Sequence, residues 1–362
     1  MIKGLLGFYK NWYPYKFKRD LIAIPLNPDL RVFKRTCRSA ESVYKYVVDL
    51  GRARSNVGLL RAGRDIVLSV VDQITKKPDR IFLDFDMKDK KFDKLAKELQ
   101  TAIITKNNEI LDEIHGKLRD CVFSSKKIRK CFESTITVRD YFKAFHDVET
   151  PMFFSGAKGF HLYIPLYPKK HEYYNEALTF LAKTINEVFG APVDLAVCRD
   201  ALVRKARLPY TPNMKTGLYC VPVLGDEDLS VVLERSESPG EAVQNFGLPR
   251  PSNSLEKLVE LCEDYVIEEE KTRLKRRNLV LKKEIIVVSD GDLREAFRAI
   301  LGEPAYSSED YDQYHCPFPT HDDFNPSFTV WGSYWKCFGC LRGGANLERF
   351  KKEYERSKKN VR

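Results

Sequence analysis

Apolar and polar positions alternate most clearly over Arg80–Asp86. Ile81, Leu83 and Phe85 fall on one face at period two and Asp84 and Asp86 on the other, a pattern that predicts a strand. Phe153 to Tyr163 reads as strand, glycine turn, strand, with His161 and Tyr163 sharing one face of the second arm. Between these stretches the period lengthens. Phe92, Leu95, Ala96, Leu99 and Ile103, then Ile110, Leu111, Ile114 and Leu118, recur at three-and-four spacing and predict two helices that break near Lys106-Asn107-Asn108. A further helix-like segment reaches His146. Tyr174, Ala177, Leu178, Leu181, Ile185, Val188 and Phe189 predict another helix, with Gly190 as its C-terminal cap. Pro192-Val-Asp194-Leu-Ala-Val reads as strand-like. A stretch rich in proline and serine over 237–254 marks a boundary, a helix follows from Leu255, and Ser289-Asp290 opens a short amphipathic helix closed by Gly302.

Composition narrows the class. A hydrophobic content of 43% requires a buried core and excludes a disordered chain. Lys and Arg number 61 against 51 Asp and Glu, a net charge of +10, which favours a polyanionic partner, nucleic acid or an anionic membrane surface. No apolar run reaches the roughly 18 residues of a membrane-spanning helix, and the apolar patch near residue 1 is too short and aromatic for a signal peptide. Nine cysteines, scattered except near the C-terminal end, fit a reducing compartment with one metal site better than a disulfide framework. The expectation is a cytoplasmic protein with no membrane partner.

The candidate chemistry sits on the two strand stretches. Two carboxylates side by side on a strand, Asp84 and Asp86, repel each other unless a cation lies between them, and hard divalent ions are the natural guests. Asp194 is a third acid on a segment that can return beside the first strand. Ser155-Gly156-Ala-Lys158-Gly159-Phe-His161 offers a tight turn with backbone N–H groups, a hydroxyl and a lysine, which together suit a phosphate. Its spacing is not that of the P-loop. The competing reading of this stretch is a glycine hairpin with a buried, satisfied histidine. Arg207-Leu-Pro209 and Lys215-Thr216-Gly217 add a basic loop. Near the other end, Cys316, His321, Cys337 and Cys340 have the residue types of a tetrahedral structural zinc site, with His315 as the alternative fourth ligand. Phe318, Phe328, Trp331, Tyr334, Trp335 and Phe338 interleave with Lys336 and Arg342 there. Such rings suit stacking on unpaired bases or the core of a small zinc ribbon.

The order D-x-D, S-G-x-K-G-x-H, Val193-Asp194, R-x-P and K-T-G over roughly residues 75–225 resembles the archaeo-eukaryotic primase superfamily. The resemblance implies an α/β (α+β) fold: a mixed α/β unit joined to a sheet unit related to the RNA-recognition fold, with the active site in the cleft between them. It implies that Asp84, Asp86 and Asp194 are catalytic and hold two Mg²⁺ or Mn²⁺ ions. Ser155, Gly156, Lys158, Gly159 and His161 would bind the incoming nucleotide, and Arg207 would contact phosphate. The C-terminal stretch resembles the zinc-binding domain of bacterial-type primases, although there the histidine lies three residues after the first cysteine and here His321 lies five after Cys316. The domains expected are 1–245 (catalytic, with a helical insertion at about 88–146), 246–288 (helical linker) and 289–362 (zinc-binding). The implied activity is primer synthesis on a single-stranded DNA template from NTPs or dNTPs, by a protein of archaeal, plasmid or viral origin. A large primase subunit or a replicative helicase is a possible partner. The alternatives are a primer-extending repair or gap-filling polymerase of the same superfamily, and a non-catalytic single-strand-binding zinc protein.

Overall fold

The computed structural model describes residues 2–14, 17–27, 29–55, 64–105, 107, 109–282, 292–318, 323 and 326–359. The chain divides into two compact units, Met1–Val266 and Ile267–Arg362. It is mixed α/β, and the strands of its sheets pair antiparallel.

The first unit opens with α1 (Leu5–Trp12), β1 (Arg19–Pro25), β2 (Phe33–Cys37), α2 (Ala40–Ser55), β3 (Arg64–Ser69) and β4 (Arg80–Asp86). Three helices follow, α3 (Lys90–Ile104), α4 (Leu111–Ser124) and α5 (Lys126–His146). Asp89 caps α3 by accepting from the amides of Lys91 and Phe92, and Ser125 caps α5 by accepting from Ile128. Then come β5 (Met152–Phe154), β6 (Gly159–Pro165), α6 (Tyr174–Phe189), α7 (Leu195–Arg199), β7 (Lys205–Arg207), β8 (Val221–Val223) and α8 (Leu229–Glu237). Helix α9 (Asn253–Lys282) runs from the first unit into the second.

Two four-stranded sheets organise the first unit, ordered β2-β1-β3-β7 and β4-β6-β5-β8. In the second sheet, Asp84 stands opposite His161, Asp86 opposite Gly159 and Phe82 opposite Tyr163. Strand β4 is buried on both faces up to Leu83; only at Asp84 and Asp86 does its polar face open. Below that opening, Trp12 packs edge-on against Phe153 and Tyr163, each at 4.9 Å between centroids. The alternate residues Ile81, Leu83, Phe85, Phe160 and Leu162 are all fully buried. The segment at Pro192 departs from the strand-like expectation. Val193 makes one bridge to Phe85, and then Asp194 turns the chain into α7, its carboxylate accepting from the Ala196 amide as a helix cap. A cap needs a short acceptor side chain, and aspartate supplies it where apolar alternation alone suggested extended chain. Gly190 takes the left-handed conformation that closes α6.

In the second unit α10 (Leu293–Leu301) packs over a five-stranded sheet. Its strands are β9 (Tyr306–Ser307), β10 (Tyr311–Tyr314), β11 (Phe328–Trp331), β12 (Trp335–Cys337) and β13 (Gly343–Gly344), and α11 (Leu347–Lys359) follows them. Helix α10 is capped by Asp292; Ser289 and Asp290 lie outside the described residues. Its core is small, centred on Phe297, Phe318, Phe328, Trp335 and Phe350.

Candidate functional site

The acidic end of β4 is where three chain segments meet. The Asp194 amide donates to the Asp84 carbonyl at 2.8 Å, and the Asp86 amide donates to the Pro192 carbonyl at 3.0 Å. These two bonds bring the cap of α7 against β4 and set Asp194 beside Asp84. The electrostatics follow. Burial, then the charges of Asp86 and Asp194, push the Asp84 carboxyl up to about 7, although its side chain keeps 27% of its surface. Burial raises Asp86 as well, against the opposing pull of Lys158. A group of half-buried acids that resist ionisation is an anionic site with too little positive charge of its own. Its donors are all hard oxygens, which fits Mg²⁺ or Mn²⁺.

The glycine turn lies against the same end. The Ser155 amide donates to the Gly159 carbonyl at 3.0 Å and closes the hairpin. A Cβ on Gly159 would come 2.1 Å from the Phe85 carbonyl oxygen, so only glycine fits there. Gly156 has φ +81°, and a Cβ on it would meet the Leu218 carbonyl at 2.5 Å. Thr216 of the Lys215-Thr216-Gly217 loop donates its hydroxyl to the Gly156 carbonyl and accepts from the Leu218 amide, so the two loops brace each other. Among the described residues, the amides of Gly156, Ala157 and Lys158 find no protein acceptor. The Lys158 ammonium sits 3.4 Å from Asp86 and 2.9 Å from Asp93 in the first turn of α3.

His161 is almost fully buried, and its ring packs edge-on to Phe82 at 5.1 Å. Its Nε2 stands 3.8 Å from Asp84 Oδ1, beyond hydrogen-bond reach, and its Nδ1 has no partner. Burial, reinforced by the charge of Arg207, lowers its pKa to about 3. A neutral histidine behind Asp84 is therefore what the site holds. Arg207 ends β7 in the other sheet and is fixed by Asp65, with 2.6 Å from Nη1 to Oδ1. Asp65 also accepts from the Met214 amide at 2.9 Å.

Asp65 and Asp93 are residues at this site that sequence reasoning did not single out. Asp65 carries a weak signal, one polar residue alternating with Ile66 and Leu68 on a strand. Asp93 carries none beyond its place in a helix's first turn.

In the second unit the thiols of Cys316, Cys337 and Cys340 all lie within 4.8 Å of one another, the one group of three potential ligands this close among the described residues. The carboxylates of Asp84, Asp86 and Asp194 do not form a group this close. The Cys337 thiol accepts from the Cys340 amide at 3.4 Å and lies 3.3 Å from the Ser327 hydroxyl, contacts that orient it toward the other two. Three convergent sulfurs fit zinc. His315 is not part of this close group; its Nδ1 lies 2.9 Å from the Asp323 carbonyl oxygen. His321 lies outside the described residues. The aromatic residues divide: Phe318, Phe328 and Trp335 are fully buried, whereas Tyr334 and Phe338 are 44% and 55% exposed. Trp331 and Tyr334 stack at 4.3 Å with their planes 11° apart, and Lys336 lies over the Phe338 ring.

No protein-family model matches the chain. None of the curated proteins matches it in sequence. Among solved structures, it is similar to primase RepB′, at 13% identity over 76% of this chain and 67% of that one, with a TM-score of 0.42. It is also similar to the polymerase domain of Mycobacterium tuberculosis ligase D in complex with DNA (13% identity, 66% and 85% covered, TM-score 0.36). A third is the primase-polymerase of cyanophage S-2L (13%, 60% and 89%, TM-score 0.30). Identities this low, with TM-scores below 0.5, leave function to be argued from the site itself.

Proposed function

We propose that the chain is a template-directed nucleotidyltransferase, a DNA primase or primase-polymerase that joins NTPs or dNTPs on single-stranded DNA and releases pyrophosphate. One observation carries the reading. Asp84, Asp86 and Asp194, the last over a hundred residues from the first two, converge beside a glycine turn whose Gly156, Ala157 and Lys158 amides have no acceptor among the described residues, and burial together with the charges of Asp86 and Asp194 lifts Asp84 to about 7. Two Mg²⁺ or Mn²⁺ ions held by these carboxylates would supply the Lewis acidity that activates a 3′-hydroxyl and stabilises the departing pyrophosphate.

The chain's own residues do the rest. The Gly156, Ala157 and Lys158 amides receive phosphate oxygens, and Lys158 offsets their charge. His161, neutral and wedged against Phe82, limits the positions open to Asp84 and keeps water from its inner side. Arg207, held by Asp65, contributes fixed positive charge toward the phosphates. In the second unit, Cys316, Cys337 and Cys340, with His321 as the expected fourth ligand, would hold a zinc ion that ties the ribbon together. The exposed rings of Tyr334 and Phe338, with half-buried Trp331 stacked on Tyr334, receive unpaired bases of the template.

The test is synthesis on an unprimed single strand with Mn²⁺ or Mg²⁺, comparing NTPs with dNTPs, beside the same reaction on a primed strand. Oligonucleotide product that disappears in Asp86→Asn is expected. Product from the primed strand alone would make the protein an extending polymerase. No product from either, together with no metal-dependent nucleotide binding, would leave a non-catalytic binding protein.

A further inference from the structure

The helical insertion carries a charged surface that the proposed site does not use. Two residues past Asp86, Lys88 begins a run that continues through Lys90 and Lys91 into α3, and Lys126 to Lys130 does the same at the start of α5. These two starts lie side by side. The Lys127 ammonium donates to the Lys88 carbonyl at 3.2 Å and sits 3.7 Å from Asp89. One turn further along α5, the Cys131 thiol contacts the Phe85 carbonyl, which anchors this corner to β4 itself. Three nearby acids are engaged: Asp89 caps α3 and meets Lys127, Asp93 meets Lys158, and Glu98 meets Lys94; exposed Glu133 on α5 has no ion pair among the described residues. Lys88, Lys90, Lys91, Lys126, Arg129 and Lys130 are all exposed, and none forms an ion pair among the described residues.

We infer that this lip binds the sugar-phosphate backbone of single-stranded nucleic acid and leads that strand to the carboxylates. Continuity points to this occupant. The lip starts at the residues that follow Asp86, so a strand held along it passes directly to the end of β4. Its makeup points the same way. Five of the six free cations are lysines, flexible point charges suited to phosphates without base readout. Both helix starts also add the positive end of their dipoles. The inference uses the proposed reaction to say where the strand leads, but binding at the lip is measurable without it.

The experiment is fluorescence anisotropy with a labelled oligothymidylate, titrated over a range of salt. The full-length protein is compared with a variant carrying Lys88→Gln, Lys91→Gln, Lys126→Gln and Lys130→Gln. A control variant carries Lys351→Gln and Lys352→Gln on α11. Loss of four phosphate contacts lowers the slope of log K against log salt by about 3, since each contact on a single strand contributes about 0.7. The control keeps the wild-type slope, and thermal melting reports that both variants fold. An unchanged slope in the fourfold variant overturns the inference. So does equal competition by polyglutamate of matched charge, which would make the lip a site for any polyanion. Mn²⁺-dependent binding of a single nucleotide is measured alongside. If it persists while the slope does not change, the lip is wrong and the catalytic reading stands. If it is absent from the wild type while the slope changes as expected, the reverse holds.

Discussion

Asp79, just before β4, and Asp84, toward its far end, lie five residues apart, and the protein treats them in opposite ways. Asp79 is buried, with the guanidinium of Arg19 2.7 Å away and that of Arg80 2.9 Å away. Despite burial, these two charges hold its carboxyl well below the usual carboxylate range. Arg80 is further fixed by the Trp12 carbonyl at 3.2 Å and lies over the Trp12 ring. Asp84 is instead raised to about 7, first by burial and then by the charges of Asp86 and Asp194. One end of β4 carries its own counterions. At the other end Lys158 lies 3.4 Å from Asp86, while the charges of Asp86 and Asp194 act against ionisation of Asp84. Burial pushes both carboxyls up, so the difference lies in the charges around them, and a carboxyl raised in this way marks a candidate site.

The largest expected effects test that contrast directly. Asp79→Asn strands two buried guanidinium groups and should cost about 3–5 kcal/mol in urea unfolding. Asp84→Asn should do the reverse without divalent ions. Removing a crowded charge gains about 1–2 kcal/mol at pH 8, less than the full shift because the side chain is 27% exposed. The same change should abolish nucleotide addition. Comparable destabilisation by both substitutions would erase the distinction.

Half of this contrast was legible in the sequence. The alternation of Ile81, Leu83 and Phe85 fixed the strand and put Asp84 and Asp86 on its other face. Asp79 gave no such sign, because its partner Arg19 is sixty residues away on another sheet and only pairing across the fold makes it structural. Asp194 was legible as an acid near the site but not as a helix cap, since apolar spacing over six residues does not distinguish strand from a one-turn helix. The glycine turn was legible for a reason the structure makes concrete, the approach of Gly159 to the Phe85 carbonyl. That Lys158 reaches Asp93 was not, because it depends on where α3 starts relative to β6. The split among the aromatic residues of the ribbon depends on register: Phe328 faces the core while Trp331, opposite Tyr311, does not.

The next effect concerns ions. In their absence Asp84 takes up a proton in the folded state at a higher pH than when unfolded. Its contribution to stability therefore falls as pH rises from near 3.8 to about 7. Asp79 contributes in the opposite sense: its share is complete above the ordinary carboxylate range and is lost only as pH falls below it. Mn²⁺ at ten times its Kd should add about 1.4 kcal/mol at pH 8. That gain should survive in Asp79→Asn and vanish in Asp84→Asn and Asp86→Asn. A gain retained in the last two would place the ion elsewhere, and thermal melts with and without EDTA read it.

The smallest effect lies at Lys158, the cation the acidic end does have. Its ammonium is shared between Asp86 and Asp93, and Asp93 is about half exposed. An exposed pair of this kind is worth at most about 1 kcal/mol, so Asp93 restrains Lys158 only weakly. If Lys158 turns to a triphosphate, Asp93 competes with the nucleotide for it. Asp93→Asn should then lower the nucleotide KM by about 2–5-fold with kcat unchanged, while Lys158→Ala raises it. A higher KM in Asp93→Asn would instead mean that Asp93 positions Lys158 for the phosphates, and the acidic end of β4 would hold a fixed counterion after all.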